Sequence, residues 1–258
     1  MLFPFSFMQA QGPIYDVDAA AFFARVTAAG GTLTLTEKSA VNTLVIQMKA
    51  DGIWTLQKAI YPMVGASAAA CAQNLKSSSY TGTFNGGITY ASGGVTFNGA
   101  TGYMDSGFNA NTNYSLTSLS FGGYSSTTVS SSGYYGASVV PYLMHSFNSF
   151  NFTESFTPGP ANYISLAGGT LGMVQSNYLG TTAKLYKNNT IAGTASQTIP
   201  SLPNLNMYIG AVNSSGSATF YDNHLVSYYY YADGLTDIQA SNHYTAVQAF
   251  QTTLSRNV

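Results

Sequence analysis

Residues 225–239 read LVSYYYYADGLTDIQ and join a long apolar strand to the start of a helix. Neighbouring residues of a strand face opposite sides of a sheet, so the four consecutive tyrosines should divide two and two between the faces. Asp233-Gly234 supplies a turn, and Thr236 followed three residues later by Gln239 has the spacing of a helix capping box. This stretch therefore predicts a strand that passes directly into a C-terminal helix.

Two shorter strand signals precede it. The polar tip Lys187-Asn188-Asn189 separates Leu185-Tyr186 from Ile191, which is the layout of a hairpin whose turn uses Asn at positive φ. Residues 206–210, NMYIG, form an apolar strand that ends on glycine.

The middle of the chain, residues 80–175, reads as short strands separated by tight turns. Apolar residues alternate with small polar ones, and Asn85-Gly86, Gly93-Gly94 and Asn98-Gly99 supply the turns. Many strands at roughly ten-residue spacing are typical of a sandwich or a barrel.

Residues 16–62 have a helical pattern instead, with apolar residues at i, i+3, i+4 and i+7. The first helix is predicted to be capped by Asp16 and to end at Gly30-Gly31, and the second to start at a Thr36 cap and stop at Asp51-Gly52. The apolar stripes predicted to lie in the core are Ala19, Phe22, Phe23 and Val26, followed by Val41, Leu44, Val45 and Met48.

The order of the C-terminal elements resembles the closing segment of laminin-G-like, concanavalin A-type lectin domains. The matching residues are Leu185-Tyr186-Lys187-Asn188, Tyr208-Ile209-Gly210 and Leu235-Thr236-Asp237-Ile238-Gln239, with Asn189 where the family usually has Gly. The resemblance implies an all-β fold, a two-sheet antiparallel jelly-roll sandwich, here with a small N-terminal helical pair and a C-terminal helix. Because this fold carries lectins, glycanases and structural modules alike, it implies no single activity.

We expect four parts: an N-terminal arm at residues 1–15, a helical subdomain at 16–62, the sandwich at 63–234 and a C-terminal helix packed on it at 235–258. The run DGIWTLQKAIYPMVG at residues 51–65, with the lectin-like C-terminus, is also similar to virion proteins of bacteriophages, in which two short helices precede such a sandwich. This second resemblance implies a component that decorates a capsid, tail or spike on the surface of the phage particle.

Charged residues make up only 7% of the chain, against roughly 25% in an average soluble domain. Between Ser77 and Ala183 there is no Lys or Arg, and the only acids are Asp105 and Glu154. A net charge of −1 gives no field that attracts phosphate backbones, so nucleic acid is not an expected partner. Low self-repulsion favours association, so we expect copies of the chain or other virion proteins as partners, the alternative being a solvated monomer.

Cys71 is the only cysteine, which excludes an intrachain disulfide, and its alanine neighbours indicate a buried packing position. The N-terminal stretch is apolar but contains Pro4 and no basic residue, so we expect neither a secretory signal nor a membrane span. We expect Phe3, Phe5 and Phe7 to dock on a neighbouring subunit or on the chain's own sheet.

Residues suited to catalysis are sparse. Glycanases on the resembled fold place two or three acids on one strand, and a glycosidase needs two carboxyls roughly 5 to 9.5 Å apart. Glu154 has no acid near it in the sequence, and Asp105 belongs to a different predicted strand. His145, His224 and His243 lack the spacing of a zinc site. We therefore expect no catalytic residue, no cofactor and no enzyme activity.

We also expect no metal site. Members of the resembled family often bind calcium through Asp side chains near the rim of the sandwich, which leaves Asp105 and Asp222 as candidates here. Hard cations prefer six to eight oxygen ligands, and Asp222-Asn223 is explained more simply as a turn.

Tyrosines give the predicted ligand-binding surface. The candidates are Tyr134, Tyr135, Tyr142, Tyr228 and Tyr230. Stacking on two half-exposed tyrosines gives about 4 kcal/mol, a millimolar affinity that becomes useful only with many copies on one particle. The alternative is that these tyrosines lie at subunit contacts, where Tyr is enriched.

These features predict a non-catalytic virion structural protein with a lectin-like fold, which contributes to assembly and to attachment at a host cell-surface glycan. The alternatives are a glycan-degrading enzyme that uses Asp105 and Glu154, and a bacterial cell-surface lectin.

Overall fold

The computed structural model describes residues 14–127, 133–138, 142–147, 151–155, 163–167 and 171–258. Residues 1–13 of the predicted N-terminal arm, which include Phe3, Phe5 and Phe7, lie outside the described residues.

The described residues contain five α-helices: α1 Val17–Ala28, α2 Leu35–Ala50, α3 Ala68–Cys71, α4 Ala110–Asn113 and α5 Asp237–Thr253. The first strands are β1 Gln57–Tyr61, β2 Thr83–Asn85, β3 Ile88–Ala91, β4 Gly94–Phe97, β5 Tyr103–Asn109, β6 Ser118–Ser125, β7 Gly133–Ser138, β8 Tyr142–Phe147 and β9 Asn151–Ser155. The remaining strands are β10 Tyr163–Ala167, β11 Gly172–Leu179, β12 Thr182–Lys187, β13 Thr190–Ser196, β14 Asn206–Ile209, β15 Val212–Ser214, β16 Ser217–Thr219 and β17 Leu225–Ala232.

These strands form two sheets. Sheet A has the order β13-β12-β11-β6-β17-β4-β3, and β1 also pairs with β17. Sheet B has the order β10-β9-β8-β7-β14-β5-β2, and β15 pairs with both β7 and β16. The described pairings are antiparallel except that of β15 with β7, which is parallel. The predicted fold, a two-sheet sandwich with an N-terminal helical pair and a C-terminal helix, is confirmed.

Strand β17 lies inside the molecule with both of its faces covered. Tyr229 and Tyr231 point into the core between the two sheets, where Tyr231 stacks on Phe108 with ring centroids 4.6 Å apart. Tyr228 and Tyr230 point to the opposite side, into a second core beneath the helices. The predicted alternation of the four tyrosines is confirmed, and it produces three layers: helices, sheet A and sheet B.

Helices α1, α2 and α5 form the layer that covers sheet A. Their predicted apolar stripes in α1 and α2 are buried, and α5 adds Ala246, Val247 and Phe250 to the same core. Helix α5 therefore packs on the face of sheet A as well as against α2. Strand β1 lies within the predicted helical subdomain, residues 16–62, but pairs with β17 of sheet A. The boundary between this subdomain and the sandwich at residue 62 stays a prediction.

The helix ends follow the expected chemistry with one correction. The Asp16 side chain accepts the Asp18 N–H at 2.9 Å and caps α1. Helix α2 is capped by Thr34 and not by Thr36, because Thr34 and Glu37 form a reciprocal capping box with hydrogen bonds of 2.8 and 3.1 Å. The capping box predicted at Thr236 is present at the start of α5.

Cys71 is buried as predicted, and burial raises the pKa of its thiol to about 12. Among the helices of the described residues, none combines the length and apolarity needed to cross a membrane.

His243 joins α5 to sheet A inside the helical core. Its Nε2 lies 3.0 Å from the Tyr228 hydroxyl and its Nδ1 lies 3.1 Å from Gln175 Oε1. The Gln175 amide also donates to the Ala240 carbonyl at 3.0 Å. Burial lowers the pKa of His243 to about 3, so the imidazole is neutral in the folded state.

We predict that replacing His243 flattens the pH dependence of stability. Below the ordinary histidine pKa of about 6.5 the imidazole binds a proton in the unfolded chain but not in the folded chain. The free energy of unfolding therefore decreases as the pH is lowered, by up to about 1.4 kcal/mol per pH unit. Urea unfolding of His243→Gln should show lower stability at pH 7.5 but a shallower decline down to pH 4.5. An equal pH dependence of the free energy of unfolding in the wild type and in His243→Gln would contradict the conclusion that His243 is neutral in the folded state.

Candidate functional site

Three of the five predicted ligand-binding tyrosines are inaccessible. Tyr135, Tyr228 and Tyr230 are each 0% exposed. Tyr135 lies in the core between the sheets, and the other two lie beneath α5, because the helices cover the outer face of sheet A. The prediction is wrong for these three residues. The side chains of Tyr134 and Tyr142 lie outside the described residues.

Asp222 belongs to a buried polar cluster. Its Oδ1 lies 2.5 Å from His224 Nδ1, and its Oδ2 accepts from the Tyr135 hydroxyl and, at 3.2 Å, from the His224 N–H. Both Asp222 and His224 are fully buried. Burial, followed by the charge of Asp222, raises the pKa of Tyr135. The carboxylate therefore acts as an internal hydrogen-bond acceptor.

A calcium site at Asp222 would have to displace these donors. Within the described ranges, no group of three or more His, Cys, Asp or Glu side chains could hold a metal ion.

We predict that calcium leaves the melting temperature unchanged. At roughly 10 mM calcium even a weak protein site, with a dissociation constant of about 1 mM, would stabilise the fold by about 1.4 kcal/mol. Thermal unfolding in calcium and in chelator should give coincident curves. A calcium-dependent shift that disappears in Asp105→Asn would instead establish the alternative candidate.

The outer face of sheet B carries an accessible cluster, which we call the tyrosine–aspartate patch: Tyr103, Asp105, Asn206, Tyr208 and Tyr221. Strands β5 and β14 are neighbours and place Tyr208 directly opposite Asp105. Alternate residues of the same strands, among them Met104 and Met207, point into the core between the sheets.

The rings of this patch are stacked in a defined order. Tyr103 lies on Tyr208 with ring centroids 4.7 Å apart and planes inclined by 29°, and Tyr221 lies 6.3 Å from Tyr103. Tyr208 is only 7% exposed, whereas Tyr103 and Tyr221 are half-buried. The next residue, Phe220, is 62% exposed. The patch therefore offers aromatic surface that is supported from beneath.

The carboxylate of the patch is held in place. Asp105 Oδ1 accepts the Gly107 N–H at 2.9 Å, and Oδ2 accepts from the Asn206 amide at 3.3 Å. The Asn206 carbonyl in turn accepts from Asn213 at 2.9 Å. Burial, with the charge of Asp105 and the neighbouring Tyr103, raises the pKa of Tyr208 to about 12, so its hydroxyl stays protonated.

This combination matches the surface of a sugar. A pyranose ring has an apolar face of C–H groups that stacks on an aromatic ring, and hydroxyls at its edge that donate to a carboxylate or exchange hydrogen bonds with an amide. The patch supplies an aromatic ring, a carboxylate and an amide within the strand pair β5 and β14. Its partly covered rings limit the area that a ligand can bury.

Reasoning from the sequence missed this patch. The signal is present in Tyr103-Met104-Asp105 and in Asn206-Met207-Tyr208, where a methionine faces inward and its neighbours face outward. The pairing of the two strands, about a hundred residues apart, is what places them together.

The topology of sheet B separates the two acids considered for catalysis. Asp105 lies on β5 and Glu154 on β9, with β14, β7 and β8 between them. Four strand spacings of about 4.8 Å place their backbones about 19 Å apart. A glycosidase pair needs carboxyls within roughly 9.5 Å.

A cavity separate from the tyrosine–aspartate patch lies where α5 begins. It is a cavity of about 560 Å³, and its lining includes Thr182, Lys184, Asp237 and the exposed Ile238. Lys184 Nζ lies 2.5 Å from Asp237 Oδ1, and this hydrogen bond lowers the pKa of Asp237. The described residues that line this cavity carry no aromatic ring, so it offers no stacking surface of the kind found on sheet B.

A scan against protein-family models and a search of curated proteins each gave no match. Among solved structures, the chain is similar to domain 4 of AbnA, a GH43 extracellular arabinanase from Geobacillus stearothermophilus, in complex with arabinotriose. The two are 14% identical with a TM-score of 0.49, over 72% of this chain and 97% of that domain.

Two further solved structures show similar partial matches. A mutant of Trypanosoma rangeli sialidase displaying trans-sialidase activity is 14% identical with a TM-score of 0.49, over 83% of this chain and 39% of that one. The Ruminococcus gnavus IT-sialidase CBM40 bound to alpha2,3 sialyllactose is 15% identical with a TM-score of 0.38, over 51% and 84%. At these identities and scores, no residue role is transferred from them to this chain.

Proposed function

We propose that this chain is a non-catalytic structural component of a phage particle, on its capsid, tail or spike, that also attaches to host cell-surface glycan. The tyrosine–aspartate patch carries this proposal, because it joins supported aromatic rings to a fixed carboxylate on an outer sheet face. Its ligand class is a neutral or weakly charged sugar.

The role in assembly is supported by the scarcity of charge. With 7% charged residues and a net charge of −1, the chain has little electrostatic repulsion between copies. The two N-terminal helices before the sandwich also follow the order found in the phage virion proteins that the sequence resembles. Many copies on one particle would compensate for millimolar affinity at each patch.

The absence of catalysis in this proposal is supported by the separation of Asp105 and Glu154 along sheet B. The alternative enzyme predicts that the wild-type chain cleaves a glycan and that Glu154→Gln does not.

We predict that the chain, displayed as a tetramer on streptavidin, binds at least one glycan of a bacterial-surface array. Tyr103→Ala should weaken this binding at least tenfold, because it removes the more accessible of the two stacked rings, Tyr208 being only 7% exposed. Asp105→Asn should also weaken it, because the charged acceptor for sugar hydroxyls is lost. Biolayer interferometry on the selected glycan gives the magnitude.

Matched controls are Tyr244→Ala, a half-buried tyrosine on α5, and Asp51→Asn, an acid at the end of α2. Both should bind as the wild type does. Loss of binding in the controls, or no glycan bound by the wild type, would contradict the attachment role. Mass spectrometry and imaging of purified particles test the structural role separately, and a free secreted species would favour the cell-surface lectin.

A further inference from the structure

The carboxylate of Asp105 in the tyrosine–aspartate patch has no Lys or Arg partner. All eight Lys and Arg residues of the chain lie within the described residues, and none of them is on a strand of sheet B. The ion pairs that these side chains form are with Asp16, Asp18, Asp233 and Asp237. The negative charge of Asp105 is therefore left for a ligand to neutralise.

The residues beside this carboxylate on three neighbouring strands are uncharged. On β5, Tyr103 lies two residues before it, and the period of two places both side chains on the outer face of sheet B. Across the sheet, Asp105 is opposite Tyr208 of β14 on one side and Thr83 of β2 on the other. Asn85 of β2 is opposite Tyr103. A ligand that reaches the carboxylate thus meets no positive charge on these strands.

The carboxylate of Asp105 also keeps part of its acceptor capacity. An ionised carboxylate has about four lone-pair sites. The Gly107 N–H donates to one oxygen at 2.9 Å, and the Asn206 amide donates to the other at 3.3 Å. These two bonds hold the half-buried side chain in place and leave acceptor sites for the donors of a bound molecule.

The aromatic rings of the patch favour the same sign of charge in a ligand. The face of an aromatic ring carries partial negative charge and attracts a cation that lies within about 6 Å of its centroid. The centroid of the Tyr103 ring is 4.7 Å from that of Tyr208 and 6.3 Å from that of Tyr221. A cation beside Asp105 is thus attracted by the carboxylate and by the neighbouring rings.

The charge of a sugar decides how well it suits this site. An acidic sugar would bring a second negative charge against Asp105, which is repulsive without a cation between them. A neutral sugar leaves the carboxylate uncompensated. A sugar with a free ammonium group compensates it, and charge-assisted hydrogen bonds are about twice as strong as neutral ones.

We propose that the tyrosine–aspartate patch binds preferentially an amino sugar with a free ammonium group, which pairs with Asp105 while the C–H face of the sugar ring lies on Tyr103. This inference rests on the proposed function, because it names the ligand class of the attachment site. Acetylation of the amine removes the positive charge and, with it, the preference.

Two oligosaccharides of equal length test the role of charge, one of glucosamine and one of N-acetylglucosamine. The wild-type chain, displayed as a tetramer on streptavidin, should bind the glucosamine oligomer at least tenfold more tightly in biolayer interferometry at low salt. Added salt should reduce this difference, because dissolved ions screen exposed charges. An oligolysine with the same number of ammonium groups, if bound as tightly, would show attraction of cations without a sugar and would overturn the proposal.

Two variants should remove the preference in different ways. Asp105→Asn removes the charge, while the amide oxygen of Asn can still accept from the Gly107 N–H. Thr83→Lys keeps the carboxylate and places a cation directly opposite it, so the charge is neutralised within the chain. Each variant should lower the affinity for the glucosamine oligomer to that for the N-acetylglucosamine oligomer.

Matched controls make the same two substitutions elsewhere. Asp51→Asn changes a carboxylate that also accepts from a side-chain amide, that of Gln47, at 3.0 Å. Thr89→Lys adds a cation at an exposed threonine on β3 of sheet A. Both controls should keep the tenfold preference for the glucosamine oligomer.

Equal binding of the two oligomers by the wild type, or an unchanged preference in Asp105→Asn and Thr83→Lys, would overturn the selection of amino sugars. Binding of a neutral glycan that is lost in Tyr103→Ala would then leave the attachment role standing. A wild type that binds no glycan at all would remove the attachment role together with this inference.

Discussion

The burial of strand β17 on both faces is the constraint on which the rest of this structure depends. Four neighbouring tyrosines each remove a large aromatic area from water only if both sides of sheet A are covered. Sheet B covers one side and the helices cover the other. Each hydroxyl taken inside also needs a partner, and Tyr228 and Tyr230 find theirs in His243 and Ser120. The helices are thus part of the fold's core.

The alternation of those tyrosines could be predicted from the sequence because side-chain direction in a strand is a local property. Their exposure could not be predicted, since it depends on how α1, α2 and α5 pack on one face of the sheet. Helices α1 and α2 are distant in sequence, and α5 follows β17 directly but folds back onto it. Helix capping could be predicted in the same way, because it too depends on nearby residues. The start of α2 shows the limit of that reasoning: both Thr34 and Thr36 could cap the helix, and Thr34 does so because it forms the reciprocal hydrogen bonds with Glu37. The tyrosine–aspartate patch required the pairing of β5 with β14, which no local pattern encodes.

Ionised side chains are unevenly placed in the described part of the chain. The helical layer contains the ion pairs of Lys49 with Asp16 and Asp18, at 2.7 and 2.6 Å. Inside the sandwich, many polar contacts use hydroxyls, amides and backbone groups, as in the bond from Ser106 to the Met207 carbonyl, and the buried Asp222 carboxylate is an exception. Neutral hydrogen bonds avoid much of the desolvation cost that an ion pair carries, so a sheet can be covered by a partner with little electrostatic penalty.

The three-layer arrangement also determines where partners can bind. Because α1, α2 and α5 pack on the outer face of sheet A, the central strands β6 and β17 of this sheet are not accessible to another chain on that face. The outer face of sheet B carries the tyrosine–aspartate patch instead, and no helix of the helical core packs on this face. Copies that are held together through any other surface would present several patches, and several weak contacts reinforce each other when they can be engaged at once.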